Sequence, residues 1–206
     1  MIHPTIQESL KKSISYDAYK DLVNTLADNN GTTGIQQTEA LINYTRLNAR
    51  RMKRWDKTLK VSEEVKTKVS DFNQSITWLV ITESWCGDAA HVIPVLNKLA
   101  ELNPNIDLRL VLRDENLELM DMFLTNGGRA IAKLIIIDNE TGEVLDTFGP
   151  RPSEATGLVN AYKVEHGKLT PEFKEDLQVW YNKNKGQNII DDITKMLCRF
   201  ESEACV

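Results

Sequence analysis

The sequence predicts an α/β protein: a mixed sheet flanked by helices, with helical extensions at both its N-terminal and C-terminal sides. Three observations carry this reading. The run Ile76, Trp78, Leu79, Val80 and Ile81 is continuously apolar apart from Thr77, as a strand buried on both faces of a sheet requires. After it, strand-like and helix-like segments alternate, which implies a β-α-β crossover. Before residue 72 and after Pro152, apolar residues instead recur at every third and fourth position, the helical period.

In chain order, Tyr16, Tyr19, Leu22, Val23 and Leu26 form one helical stripe and Leu41, Tyr44, Leu47 and Met52 a second, with the Gly31 to Gly34 link between them. The second stripe runs into a basic stretch, Arg46 to Lys60, containing Arg50, Arg51, Lys53 and Arg54; this is either a solvated helix face or an anion-binding one. Ser62 suits the N-cap of a short helix ending near Phe72. The sheet region then reads as a strand from about 75, a helix over 87–102, a strand over 106–112, a helix over 115–124, and strands over 131–137 and 143–148. Asp138-Asn139-Glu140-Thr141-Gly142 is a turn of hairpin length, so the last two strands should be antiparallel. Helices follow over 153–166, 171–184 and 188–198, broken at Gly167 and Gly186. The expected organisation is an N-terminal helical extension (1–72), a sheet domain (73–166) and a C-terminal helical extension (167–206) packed on the same domain.

At 206 residues, 41% of them apolar, the chain can bury a core without disulfide or metal staples. Its net charge of −5 provides no broad positive field, so neither nucleic acid nor a membrane surface is expected as a partner. Residues 1–30 contain no apolar run of signal-peptide or membrane-span length, and a cytoplasmic location is the expectation. Cys86, Cys198 and Cys205 are too few for a disulfide framework, no Cys/His cluster has zinc spacing, and no cofactor is implied.

Cys86 stands between a buried strand and a helix. There its sulfur is expected near unpaired backbone N–H groups and the positive end of the helix dipole, an environment that favours thiolate, the nucleophilic form. Trp85 would shield one side. Asp88, in the first helical turn, opposes ionisation of Cys86 if close to it. Thr82 and Glu83 could act in proton transfer or be caps; Arg129 could stabilise a thiolate or bind the carboxylate of a small thiol. His91 is rotated away from the sulfur, and Arg113 with Asp114 reads as a turn with a local ion pair.

On these residues the chain resembles the thioredoxin superfamily. Trp85-Cys86-Gly87-Asp88-Ala89 looks like that family's W-C-G-P-C loop after the same strand, and Pro94 lies eight residues beyond Cys86, where thioredoxins carry a helix-kinking proline. The resemblance covers roughly residues 72 to 166 and implies a thioredoxin-like fold. Two positions depart from it. Ala89 replaces the resolving cysteine, and Ala132 in Ile131-Ala132-Lys133 replaces the cis-proline, so the Ile131–Ala132 peptide is expected to be trans. Ile131 and Ala132 nevertheless occupy the family's substrate-docking position, which makes Trp85, Gly87, Asp88, Arg129, Ile131 and Ala132 the candidate substrate contacts around the catalytic candidate Cys86.

The resemblance implies a thiol-disulfide oxidoreductase working by a monothiol route through Cys86. Its partner would be a protein disulfide or a low-molecular-weight thiol such as glutathione, with an external thiol as resolver; Cys198 or Cys205 could resolve instead if the tail brought its Cα within about 7 Å. Two other readings stay open. One is a redox-inactive thioredoxin-fold protein-binding module; the other is a peroxide-reducing or cluster-binding monothiol protein, whose own motifs are missing.

Overall fold

The computed structural model describes residues 1–200. Four helices precede the sheet: α1 (Pro4–Lys12), α2 (Tyr16–Asp28), α3 (Glu39–Thr58) and α4 (Glu63–Ser70). Each of the last three starts on a hydroxyl side chain, Ser15, Thr38 or Ser62, that accepts the backbone N–H three residues on. Strand β1 (Ile76–Thr82), helix α5 (Ala89–Ala100) and strand β2 (Ile106–Leu112) form the β-α-β unit, with β1 and β2 parallel. A short 3-10 turn and α6 (Leu117–Met122) lead to the antiparallel hairpin β3 (Lys133–Asp138) and β4 (Val144–Phe148). Three helices close the described chain: α7 (Ser153–His166), α8 (Pro171–Asn184) and α9 (Gln187–Phe200).

The strand order is β2-β1-β3-β4, and β3 runs antiparallel to β1. Every residue of β1 and of β3 is buried, so the sheet centre is covered on both faces. Helix α5, with Val92, Ile93, Val95, Leu96 and Leu99 essentially inaccessible, packs on it as a core element. This mixed sheet flanked by helices is the architecture expected from the alternation of periods.

Helix α3 is turned differently from its apolar pattern. Its buried face is Thr45, Asn48, Met52 and Trp55, whereas Tyr44 and Leu47 remain exposed. The inward polar groups are paired: Thr45 Oγ1 lies 2.8 Å from Ser84 Oγ, and Asn48 Nδ2 donates to the Ser84 carbonyl at 2.8 Å. Satisfied hydrogen bonds let these polar positions face the interior. Helix α3 thereby buttresses the loop that follows β1.

Candidate functional site

The loop between β1 and α5 holds Cys86. Its thiol is a free and buried one, 8% exposed, and Sγ donates to the Ile131 carbonyl at 3.1 Å while accepting from the Ala89 N–H at 3.4 Å. Ala89, where a second sulfur would sit in a dithiol loop, is 1% exposed and fills core space. The expectation of a thiolate-favouring pocket is corrected here. Burial and then the Asp88 charge push the Cys86 thiol up to about 12, more than the N–H groups of Ala89 and Asp88 and the Arg151 charge bring it down. The helix start supplies donors, but desolvation outweighs them.

The Ile131–Ala132 peptide is cis, correcting the trans expectation. Local preference gives way to packing that no local rule contains: both residues are buried, the Ile131 carbonyl receives the thiol, and the Ala132 carbonyl lies against the backbone of Gly149. At Gly149 φ is +105°, and a Cβ would stand 2.2 Å from the Ala132 oxygen, so only glycine fits. The chain then enters a second cis peptide, Gly149–Pro150, and delivers Arg151 to the cysteine loop.

Asp88 is not a surface helix cap. It makes no cap hydrogen bond, is 9% exposed, and lies 2.7 Å from Arg151 Nη2; Tyr181 Oη donates to its other oxygen at 3.0 Å. Burial raises the Asp88 carboxyl, and Arg151 and Tyr181 oppose that rise. Tyr181 stacks on the His91 ring, with centroids 4.2 Å apart and planes 2° from parallel. His91 is fully buried: Nδ1 accepts from Trp55 Nε1 at 2.9 Å and Nε2 lies 2.8 Å from Gln178 Oε1. That pairing assigns the proton to Nε2, and burial lowers the histidine to about 3, so the ring is neutral.

The remaining candidates fall in three places. Trp85 is half-buried beneath the Arg113 guanidinium, 4.9 Å from its ring, and Arg113 pairs with Asp114 at 2.8 Å, the local ion pair read from sequence. Gly87 faces Arg51 and Gln178, whose side-chain atoms would lie 3.6 and 3.8 Å from a Cβ there. Thr82 and Glu83 are wholly buried; the Thr82 hydroxyl sits 3.3 Å from Tyr19 Oη, and Glu83 Oε1 accepts the Asp114 N–H at 2.9 Å. Arg129 is an exposed side chain held by two bonds to Asp121, at 2.6 and 2.8 Å, and the cation facing Asp88 is Arg151 instead. Cys198 lies on α9 and, with Arg151, lines an open cleft of about 1110 Å³; Cys205 lies outside the described residues. Among the described residues, no group of three or more His, Cys, Asp or Glu is placed to hold a metal, and no helix is long and apolar enough to cross a membrane.

A protein-family model described as Thioredoxin matches residues 34–163, well over half of the chain. The chain belongs to this thioredoxin family. The match begins ahead of α3, so the part of the chain that the family covers includes the helix that buttresses the cysteine loop. Two solved structures share the fold at 16% identity. A protein of unknown function from Pseudomonas aeruginosa aligns with a TM-score of 0.58 over 89% of this chain and 97% of its own. An HIV epitope-scaffold aligns at 0.55 over 89% and 98%. Among curated proteins, none matches.

Several residues around the cysteine loop carry no signal in the local sequence. Trp55, Gln178 and Tyr181 come from α3 and α8, far along the chain, and read there as ordinary amphipathic positions. Arg151 is the exception. It follows the last strand at the Gly149-Pro150 turn, and a chain entering a helix beside the β1–α5 loop could have been read as bringing its cation there.

Proposed function

We propose that this thioredoxin-fold chain is a protein-binding module that does not turn over disulfides. The observation that carries this is the state of Cys86: a buried thiol, bonded to the Ile131 carbonyl and pushed up to about 12, with Ala89 in the resolving position. Thiol-disulfide exchange needs an accessible thiolate to attack and a second thiol to release the product. Here Cys86 instead ties the loop to the segment before β3, and Asp88, through Arg151 and Tyr181, ties it to the turn after β4 and to α8. The loop is a rigid surface element, with the partly exposed Trp85 and Gly87 as its contact residues.

One observation favours a second reading, a monothiol oxidoreductase. The Ala89 N–H points at Sγ from the first turn of α5, and Arg151 offsets the Asp88 charge, so a partner that opened the loop would uncover a thiol with donors in place. In that route the Cys86 thiolate attacks a disulfide sulfur, the displaced thiolate leaves, and an external thiol such as glutathione breaks the mixed disulfide, returning Cys86 as a thiol. Ile131 and Ala132 would border the bound substrate.

Iodoacetamide alkylation, followed by peptide mapping of the segment containing Cys86 in native and urea-unfolded protein, separates the two. A binding module shows slower native modification at every mildly alkaline pH and no mixed disulfide with oxidised glutathione. Faster native modification, together with a glutathione adduct on Cys86, overturns that reading in favour of the monothiol route.

A further inference from the structure

Two chains of hydrogen bonds approach Gly87 of the cysteine loop from different helices, and both end there on donors. The first starts at Trp55 of α3. An indole N–H can only donate, so His91 Nδ1, which receives it at 2.9 Å, is an acceptor and the ring proton sits on Nε2. That proton goes to Gln178 Oε1 of α8, 2.8 Å away. The orientation of the Gln178 amide is thereby fixed: its oxygen faces His91, and its Nε2 amino group has no acceptor among the described residues. The second chain starts at the loop itself. The Ser84 carbonyl receives Asn48 Nδ2 at 2.8 Å, which turns Asn48 Oδ1 outward to receive Arg51 Nη1 at 2.9 Å. A guanidinium carries donors only, and that bond occupies one of the five N–H groups of Arg51.

The two ends meet at a recess made by a glycine. A Cβ on Gly87 would lie 3.6 Å from Arg51 Nη1 and 3.8 Å from Gln178 Nε2, with Gln178 Oε1 at 3.9 Å and engaged by His91. A heavy atom of a ligand standing there touches both donors. Arg51, Gly87 and Gln178 are each partly buried, so the recess is open to a partner while its walls are partly withdrawn from water. Asp88, the acid of this loop, is turned elsewhere: Arg151 Nη2 lies 2.7 Å from one oxygen and Tyr181 Oη donates to the other at 3.0 Å. Burial, and then the charge of Arg54, push Arg51 below the ordinary arginine range, more than Tyr44 and Asp88 oppose it. A cation in such surroundings gains more from an arriving negative charge than an exposed lysine does.

The geometry points to a carboxylate-binding site at Gly87, in which the Arg51 guanidinium and the Gln178 amide donate to a carboxylate carried by a protein partner, either as an acidic side chain or as a C-terminus. The inference rests on the binding-module reading and supplies the chemistry by which the loop recognises its partner. Asn48 and His91 hold both donors in place before the ligand arrives, which lowers the ordering cost of binding. The planar fork of arginine beside a planar amide suits a planar carboxylate. A ligand amide in the same pose turns its own N–H groups towards one of the two donors, so glutamine and asparagine are rejected.

Chemical-shift titration of the nitrogen-15-labelled protein, read at the Gly87 amide and the Gln178 side-chain N–H signals, tests the site with acetyl-Gly-Glu-Gly-amide, acetyl-Gly-Gln-Gly-amide, and acetyl-Gly-Gly-Gly with a free C-terminus. Saturable shifts are expected at both positions from at least one of the two carboxylate peptides, with Kd on the order of millimolar, and none from the glutaminyl peptide. Which carboxylate saturates identifies its source, side chain or C-terminus. Arg51→Gln should raise Kd by about tenfold, and Arg51→Lys by less, since the charge stays and the fork is lost. Gly87→Ala should raise it by about fivefold with thermal unfolding unchanged, because the added methyl fills the recess and meets nothing closer than 3.6 Å. Saturation by the glutaminyl peptide at the same concentrations, no saturable shift from either carboxylate, or an Arg51→Gln variant that binds as the native chain does overturns the site. Because alkylation of Cys86 is measured separately, the site can fail while the binding module stands, and a reactive Cys86 can remove the module while a carboxylate still binds at Gly87.

Discussion

Asp88 and His91 decide the character of the cysteine loop at the scale of single residues. Asp88 places a carboxylate beside Sγ and is itself held by Arg151 and Tyr181. Asp88→Asn removes that charge, leaves Arg151 to act on the thiol alone, and should lower the Cys86 pKa. The expected result is alkylation at fixed pH faster by about tenfold, one pKa unit; an unchanged rate would show that desolvation alone holds the thiol protonated. His91 gives a pH dependence of stability. Its folded pKa of about 3 lies below the ordinary 6.5, so the unfolded chain binds the proton that the folded chain refuses. Its contribution is complete above about pH 6.5 and is lost as the pH falls from there towards 3. Urea midpoints should therefore drop between about pH 7 and 5 more steeply for the native chain than for His91→Gln, which has no proton to bind; parallel profiles would contradict a neutral buried ring. Of these two residues, sequence reading saw that Asp88 opposes the thiolate and that His91 is no base for Cys86. It could not see that both are buried, because their partners Arg151, Tyr181, Trp55 and Gln178 come from three other segments.

Elements meet at the loop through a cluster of buried hydroxyls. Ser84 Oγ lies 2.8 Å from Thr45 Oγ1 of α3 and accepts from the Thr33 N–H at 3.0 Å, while Thr33 Oγ1 accepts the Ser84 N–H at 2.8 Å. The link before α3, α3 itself and the end of β1 are thus pinned at one residue. Ser84→Ala leaves the Thr33 N–H without its acceptor in the interior, while the Thr45 hydroxyl keeps Thr32 at 2.8 Å, and should cost about 1–3 kcal/mol in urea unfolding; a neutral result would mean that the pin is dispensable. Periodicity made the helices legible because caps and turns are local: Ser62, Gly167 and the Asp138 to Gly142 turn mark element ends within a residue or two. It misplaced the buried face of α3 because apolar residues alone were counted. Thr45 and Asn48 face inward because Ser84, with Thr32 and Arg51, answers them.

For the whole molecule, the family match beginning at residue 34 and the packing of α3 on the loop point the same way. A chain starting at residue 60 loses the Trp55–His91 bond, the Asn48–Ser84 bond and the cover of Met52 and Trp55. It should fail to give a cooperative unfolding transition by circular dichroism; a cooperative fragment would make the preceding helices an appendage. The sequence by itself determined the α/β class, the order of strands and helices from β1 onward, the antiparallel hairpin and the place of Cys86 at the start of α5, since burial period, turn chemistry and caps act between near neighbours along the chain; the short α1 was not read from it. Only the tertiary structure decided what Cys86 is: which carbonyl it bonds, how deeply it is buried, the cis peptide facing it, and that Arg151 rather than Arg129 stands at Asp88. Desolvation and charge at a sulfur depend on everything that surrounds it, and the segments surrounding this one lie from α3 to α8.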